Sequence, residues 1–218
     1  MEKFTKEKRN QLLKIYLKLL ADSFQRHHGD IVDIRYIIRE AMKLFKKSFL
    51  TDTGAIVSSW AFNPNQPKRE FDTNILNGFT RIDYALERAI IKVFEEYAES
   101  QEIKGSQLYE TFAKLLEFEP RVIRYIKTWI YTASAAINQY ERIQKATNNG
   151  IKYFKYIGPP PDREFCKIYI NKILPLEEIK KLDNGQKLNA LYYCGGYNCR
   201  HRWVPATEKE YKEQQNKL

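Results

Sequence analysis

The most constraining feature of the sequence is the stretch over residues 148–205, which holds all three cysteines of the chain. The run Pro159-Pro160-Pro161 lies within it, and such a stiff segment cannot continue a sheet. Cys199 and His201 form the one Cys-x-His pair of the sequence. The residues before this stretch have the regular spacing of helices. We therefore expect any specific function to depend on residues 148–205.

The region before this stretch predicts helices. Its apolar residues recur three and four positions apart, which places them on one face of a helix. This spacing predicts helices over residues 4–27, from 30 or 33 to 49, 73–100, 107–118 and 121–147. Gly29 and Gly150 suit the C-termini of the first and last of these helices. Asn63 and Pro64 mark a loop between the second and the third.

The region from residue 151 predicts short strands joined by turns. Residues 151–157 alternate as a strand, and residues 170–174 predict a second strand or an extended link. Residues 199–206 predict a further strand, in which alternate side chains share one side. The side chains expected on that shared side are those of Cys199, His201 and Trp203.

Small helices are also predicted in this region. Asp162 is expected to cap a short helical turn that carries Cys166, and residues 175–182 predict a helix of two turns. Thr207 and Glu210 have the spacing of a capping box, which predicts the start of a polar terminal helix.

These patterns together predict an α+β protein, with a mainly α-helical N-terminal part and a small β-containing C-terminal module. We expect a helical region over residues 1–118, a module over 119–206, and a polar helix or tail over 207–218. No apolar run approaches the length of a membrane span, and the charged first residues differ from a signal peptide. The sequence therefore predicts no membrane partner, and a location in a cytosol or in a particle assembled there.

The chain carries a net charge of +10, with its positive charge concentrated toward the two ends. Such a surface permits contact with nucleic acid through neutralisation of phosphates, although a lysine-rich surface also arises without any such partner. The candidates for phosphate contact lie near the end of the second predicted helix: Lys43, Lys46 and Lys47. They equally suit a solvated face, because the helix dipole favours cations at a C-terminus.

The cysteines allow two structural interpretations. Cys166, Cys194, Cys199 and His201 have the number and the softness of the ligands in a tetrahedral zinc site, although the tight Cys-x2-Cys pattern of most small zinc sites is missing. Alternatively, the thiols of Cys166 and Cys199 are packed in the core or form a close pair. Such a pair stays reduced in a cytosol and can oxidise in a released particle. Zinc is thus the single cofactor that the sequence suggests.

The same residues also allow two catalytic interpretations. A nuclease would use His201 with Arg163 and Arg200 around a phosphate, because guanidinium groups hold phosphates well. A cysteine nucleophile would use His201 as its base, but the sequence offers no defined oxyanion hole or orienting carboxylate. The arginines can equally form salt bridges with nearby acids. No glycine-rich phosphate loop or dinucleotide fingerprint is present.

The C-terminal residues follow a fixed order of elements. A long helix ends at Gly150, and a strand follows. The segment Asp162-Arg163-Glu164-Phe165-Cys166 comes next, then a helix, and finally Gly195-Gly196-Tyr197-Asn198-Cys199-Arg200-His201-Arg202-Trp203. Over roughly residues 120–205, this order resembles the phage head morphogenesis family, whose founding member is protein F of phage Mu. Cys194 departs from the usual pattern of that family.

The resemblance implies a minor capsid protein of the virion, at the portal vertex or the capsid interior, that acts in head assembly or DNA delivery and has no catalytic activity. Its implied partners are the portal or major capsid protein, with double-stranded DNA as a further candidate. The resemblance also implies a structural motif, made of Asp162, Arg163, Cys166, Gly195, Gly196, Asn198, Cys199, Arg200, His201 and Trp203. Structural residues should be buried and bonded to backbone, whereas those of a nuclease should converge on an open cleft with a free imidazole edge.

Overall fold

The computed structural model describes residues 5–27, 33–53, 73–102 and 104–216. Its description of side chains excludes residues 47, 48, 50–53 and 73–76. The predicted loop at Asn63 and Pro64, and the predicted helix end at Gly29, lie outside the described residues.

Helices make up most of the described chain and come first in its order. They are α1 Lys6–Arg26, α2 Ile34–Thr53, α3 Thr73–Glu99, α4 Ser106–Leu115 and α5 Pro120–Asn148. Each of the five predicted helices is present, with its ends shifted by a few residues. Among the described helices, none has an apolar stretch that would let it cross a membrane.

Short elements follow the five helices. In chain order they are β1 Tyr153–Ile157, α6 Glu164–Tyr169, β2 Ile173–Pro175, α7 Leu176–Ile179, α8 Ala190–Tyr193, β3 Arg202–Ala206 and α9 Glu208–Gln215. The strands form an antiparallel sheet in the order β2-β1-β3. The predicted fold class, α+β with a mainly helical N-terminal part and a small sheet near the C-terminus, is confirmed.

The chain divides into two compact units. The helical unit comprises Met1–Phe71 and Thr80–Ile130, and the C-terminal unit comprises Asp72–Phe79 and Tyr131–Leu218. The division therefore falls inside α5, whereas the sequence analysis placed a boundary at residue 118, where the helical pattern is interrupted. Because α5 is continuous over 29 residues, the break in the pattern before Pro120 marks the start of a helix and not the edge of a unit.

The helical unit has an aromatic core. The ring of Phe112 lies 5.1 Å from that of Phe24 and 4.9 Å from that of Phe94, measured between centroids. Phe45 packs edge-on against Trp129, with 5.3 Å between their centroids. Aromatic pairs at these distances add to the free energy gained by burial, so these rings join helices α1 to α5 of this unit.

Two acids of α3, the partly buried Asp83 and the buried Glu87, pair with basic residues of α2 in the helical unit. The Lys46 ammonium lies 2.5 Å from the Asp83 carboxylate, which also accepts a hydrogen bond from the Trp129 indole at 2.8 Å. The Arg39 guanidinium makes two hydrogen bonds of 2.9 Å to Glu87. Burial raises the pKa of Asp83, and Lys46 and Trp129 offset part of this effect. The unit thus compensates its buried charge within its own helices.

The C-terminal unit differs from the sequence expectations in three local features. Residue Arg163, and not Asp162, is the N-cap of α6, and it makes no side-chain cap. The strand predicted from residue 199 begins at Arg202, because the preceding residues form a turn that ends at Cys199. The helix predicted over 175–182 has a single turn, α7. The capping box of Thr207 and Glu210 is present as predicted.

Candidate metal centre

Two sulfur atoms and an imidazole converge beside the sheet of the C-terminal unit. Cys166 lies in α6, Cys199 ends the tight turn that follows α8, and His201 directly precedes β3. The antiparallel pairing of Tyr156 with Trp203 places the start of β3 beside the end of β1. The chain leaves β1 through the proline run and enters α6, which brings Cys166 back to the same place.

The potential ligand atoms of Cys166, Cys199 and His201 all lie within 4.8 Å of one another. The Sγ atoms of the two cysteines are 3.8 Å apart, and Cys199 Sγ lies 3.7 Å from His201 Nδ1. The exposed fractions are 2% for Cys166, 9% for Cys199 and 9% for His201. Cys166 and the Cys199–His201 pair, which are 33 positions apart in the sequence, therefore form one buried group that can hold a metal ion.

Tyr156 contacts all three members of this group. Its hydroxyl oxygen lies 3.4 Å from Cys166 Sγ and 3.6 Å from Cys199 Sγ. Its ring is stacked on the His201 imidazole, with 5.3 Å between centroids and 8° between planes. Burial raises the pKa of Tyr156 far above its usual range, so the hydroxyl keeps its proton.

Gly195 closes the cluster from the side of the turn. Its amide donates a hydrogen bond to Cys199 Sγ at 3.2 Å, and its carbonyl accepts one from the Arg163 guanidinium at 2.8 Å. A Cβ atom at this position would lie 2.5 Å from Cys166 Sγ and 3.1 Å from Cys199 Sγ. Position 195 therefore has no room for a side chain, and its glycine is required by the close approach of the two sulfurs.

The third cysteine, Cys194, is buried but does not belong to the group of potential ligands. Its carbonyl accepts a hydrogen bond from the Asn184 side chain at 2.9 Å, and its thiol lies against the backbone amide of Trp203. Burial raises the pKa of this thiol well above its usual range. The four-ligand set considered from the sequence therefore reduces to three residues, because the turn at residues 194–196 directs Cys194 to a different environment.

Burial shifts the pKa values of two members of the cluster, Cys166 and His201. It raises the pKa of the Cys166 thiol to about 11, while a hydrogen bond from Tyr156 acts in the opposite direction. Burial also lowers the pKa of His201, and the Pro159 carbonyl and the Asp162 carboxylate offset this effect only in part. At neutral pH the imidazole is therefore uncharged, which is the form that binds a metal. A metal that bound here would displace the thiol protons.

The remaining residues of the predicted motif differ in how deeply they are buried. Trp203 is fully buried, and its indole donates to the Ala190 carbonyl at 3.0 Å. Arg163 reaches the Gly195 carbonyl. Asp162, Asn198 and Arg200 are exposed. The Asn198 amide donates to the Thr132 hydroxyl at 3.1 Å, and Gly196 has a φ of 96°, in the left-handed region that glycine readily adopts.

The three lysines considered for phosphate contact do not share one environment in the structure. Lys46 is paired with Asp83 and is only partly accessible, so it lies on neither a fully solvated face nor an open phosphate surface. Lys43 is exposed. The side chain of Lys47 lies outside the described residues.

Tyr156 is the member of the cluster that the sequence analysis missed. The alternation of residues 153–157 already places Phe154 and Tyr156 on the same side of β1, and both are fully buried. That signal indicates a buried tyrosine, whose hydroxyl then requires a partner. Comparisons with protein-family models, with curated proteins and with solved structures gave no match to this chain.

Proposed function

We propose that this protein is a minor capsid protein that acts in the assembly of phage heads, and that its C-terminal module serves as a scaffold without catalytic activity. One observation carries the proposal. Cys166, Cys199, His201 and Trp203, which belong to the motif of the resemblance, are all buried and lie close together. This is the arrangement expected when a shared motif preserves a fold.

The hydrogen bonds around the motif favour a scaffold. The Gln139 side chain donates to the Trp203 carbonyl at 3.0 Å, and the Trp203 indole donates to the Ala190 carbonyl at 3.0 Å. The guanidinium of Arg163 is bonded to the Gly195 carbonyl. These bonds tie the turn and β3 to the rest of the unit, because buried backbone groups left without partners are costly.

The nuclease alternative receives less support from the same geometry. A base that acts on a phosphodiester must reach a bound substrate or its water. The Nε2 atom of His201 is buried, Arg163 is bonded to a carbonyl, and Arg200 is exposed. The imidazole and the two arginines therefore do not form an open cleft.

The experiment that tests the proposed function is an analysis of purified particles. Phage particles from a culture that carries the gene would be treated with DNase, separated by density, and analysed by quantitative mass spectrometry. We expect this protein in the particles, together with portal and major capsid protein, at a copy number far below that of the major capsid protein. Finding it only in the soluble fraction of the lysate would overturn the proposal.

A second experiment separates the scaffold from the nuclease. The parent protein and the His201→Ala variant would be incubated with plasmid DNA and a divalent metal. We expect no cleavage by either protein. Cleavage by the parent that is lost in the variant would replace the scaffold proposal with the nuclease.

We also propose zinc as the metal of the Cys166, Cys199 and His201 group. Two thiolates and an imidazole form a soft ligand set that suits zinc. With Zn–S bonds of about 2.3 Å, two sulfurs of a tetrahedral site lie about 3.8 Å apart. The observed separation of the two Sγ atoms is 3.8 Å, so these side chains need little movement to bind the ion.

Elemental analysis of protein purified without chelator tests this assignment. We expect close to one zinc per chain in the parent, loss of that zinc in Cys199→Ser, and retention in Cys194→Ser. The Cys194→Ser variant is a matched control, because Cys194 is also buried but lies outside the ligand group. Equal zinc in all three proteins, or none in the parent, would contradict the assignment.

A further inference from the structure

The ligand group of the proposed zinc site comes from two separate segments of the chain, one with Cys166 and one with Cys199 and His201. Cys166 lies in α6, Cys199 in the turn, and His201 before β3. The Cys-x-His motif joins Cys199 to His201, but no short motif fixes the distance of either residue from Cys166. Some other group must therefore hold the three side chains in place, and Tyr156 is in contact with each of them.

The hydroxyl of Tyr156 lies beside both sulfurs. It is 3.4 Å from Cys166 Sγ and 3.6 Å from Cys199 Sγ, which is within the range of an O–H···S hydrogen bond. When both cysteines are thiolates, this hydroxyl and the Gly195 amide are donors aimed at them. Hydrogen bonds to charged acceptors are stronger than those between neutral groups, so these donors stabilise the thiolates that a metal requires.

The ring of Tyr156 fixes the third ligand. It lies nearly parallel to the His201 imidazole, at 8° between planes, and it limits the rotation of that ring. In this orientation Nδ1 faces Cys199 Sγ at 3.7 Å. Groups that orient a ligating histidine contribute to the affinity of metal sites although they do not bind the ion.

Tyr156 itself is held by contacts that do not involve the ligands. It lies in β1, the central strand of the sheet. Its amide donates to the Lys172 carbonyl at 2.9 Å, and its carbonyl accepts from the Asn171 amide at 2.8 Å. Its ring packs against Trp203, with 4.6 Å between centroids. The position of the phenol is therefore set by the sheet before any metal arrives.

We propose that Tyr156 is the positioning residue of the metal site, with its single hydroxyl proton shared between the two thiolates and its ring holding the His201 imidazole. This inference rests on the zinc site proposed above. Tyr156 does not coordinate the ion. It prepares the ligands so that the ion binds without a large rearrangement of the side chains.

The test compares Tyr156→Phe with Tyr153→Phe. Tyr153 lies on the same strand, but its ring stacks on Tyr211, so its variant is a matched control. Affinities for Zn²⁺ and Co²⁺ would be measured by competition with a chromophoric chelator. We expect Tyr156→Phe to bind about 10-fold to 100-fold more weakly than the parent, and Tyr153→Phe to bind like the parent.

The absorption spectrum of the Co²⁺ form separates positioning from a general loss of stability. The ligands are the same in Tyr156→Phe, so tetrahedral thiolate bands should persist. Their sulfur-to-cobalt charge-transfer band should move to lower energy, because the sulfurs lose a hydrogen-bond donor. A variant that is merely less stable would show the spectrum of the parent at reduced intensity.

The outcomes distinguish this inference from the zinc assignment. If the parent binds metal and Tyr156→Phe binds it equally well with the same spectrum, the role of Tyr156 is wrong and the zinc site stands. If the parent binds no metal, the zinc assignment fails and the inference fails with it. The fold of each metal-free variant would be checked by circular dichroism.

Should Tyr156→Phe fail to fold, the Co²⁺ form of the parent provides a second measurement. A hydroxyl proton bonded to a cobalt-bound thiolate should give a paramagnetically shifted NMR signal that exchanges slowly with solvent. Further signals of this kind are expected from the Gly195 amide and the His201 ring. Absence of a third such signal would overturn the inference.

Discussion

The two units handle buried polar groups in opposite ways. The helical unit pairs partly buried charged groups of opposite sign, such as Lys46 with Asp83. The C-terminal unit buries two thiols, a phenol and an imidazole around Gly195. Burial shifts the pKa values of Cys166, Tyr156 and His201 so that these three side chains are uncharged at neutral pH without a metal. The first unit therefore balances these charges with its own side chains, whereas the second holds a group of potential ligands for which we propose a bound cation.

The largest expected effect comes from removing the central tryptophan of each unit. Trp203→Ala should destabilise the C-terminal unit by about 3–5 kcal/mol, because it empties a fully buried site. Trp129→Ala should cost a similar amount in the helical unit, where Trp129 is 4% exposed. We expect metal binding to be lost only in Trp203→Ala. Denaturation followed by circular dichroism, with chelator competition, measures both properties.

If Trp129→Ala also abolished metal binding, the metal site would depend on the helical unit as well. The two variants are matched, because each removes a tryptophan whose indole donates one hydrogen bond. Trp203 donates to Ala190, and Trp129 donates to Asp83.

Removal of zinc should have the next largest effect on the free energy of unfolding. A ligand present at 100 times its dissociation constant stabilises the folded state by about 2.7 kcal/mol. We expect a zinc-dependent gain of this order in the parent and in Cys194→Ser. In Cys199→Ser the gain should be absent. Unfolding curves with and without added zinc measure it, and a gain that survives in Cys199→Ser would exclude the proposed ligand group.

A smaller effect is expected when the charge pair of the helical unit is broken. Lys46→Met removes the hydrogen bond from the Lys46 ammonium to the Asp83 carboxylate and leaves the one from the Trp129 indole. Because both partners are partly accessible, we expect a loss of about 1–2 kcal/mol. The double variant Lys46→Met/Asp83→Asn should recover part of it. Zinc affinity should remain unchanged, and chelator competition checks this point.

The smallest expected effect is a pH dependence carried by Asp83. Its pKa is raised in the folded protein, chiefly by burial, so the folded state binds the proton more tightly than the unfolded state. The contribution to stability is then present below the unfolded pKa of 3.8 and is lost as pH rises through the raised folded value. Asp83→Asn should remove this loss of stability with rising pH, because asparagine does not titrate.

The measurement is the difference in the free energy of unfolding between the parent and Asp83→Asn across this acidic range. That difference should shift against the parent as pH increases. In Lys46→Met the shift should extend to higher pH, because Lys46 is the main group that lowers the pKa of Asp83. A difference that is constant with pH would show that Asp83 titrates alike in both states.

The sequence predicted the helices well because their signal is local. The spacing of apolar residues within one helix indicates its buried face without knowledge of its neighbours. The partner of Lys46 was not predictable in this way, since Asp83 is 37 positions away. A charge near the end of a helix looks the same in the sequence whether it faces solvent or a buried acid.

The candidate site was predictable only in part. The grouping of Cys166 with Cys199 and His201 was expected, and the geometry confirms that they meet. The inclusion of Cys194 was wrong, because spacing along the chain does not tell where a turn directs a side chain. Tyr156 was missed because its role depends on the register between β1 and β3, which the sequence does not specify.

The last helix has a consequence for the sheet that it accompanies. The amide group of Gln214 accepts from the Ile173 amide at 2.8 Å and donates to the Ile173 carbonyl at 3.1 Å. A glutamine side chain thereby imitates the backbone of an additional strand beside β2. Since an open edge strand can pair with another chain, this side chain occupies the two backbone groups of Ile173 through which a further strand would bind to β2.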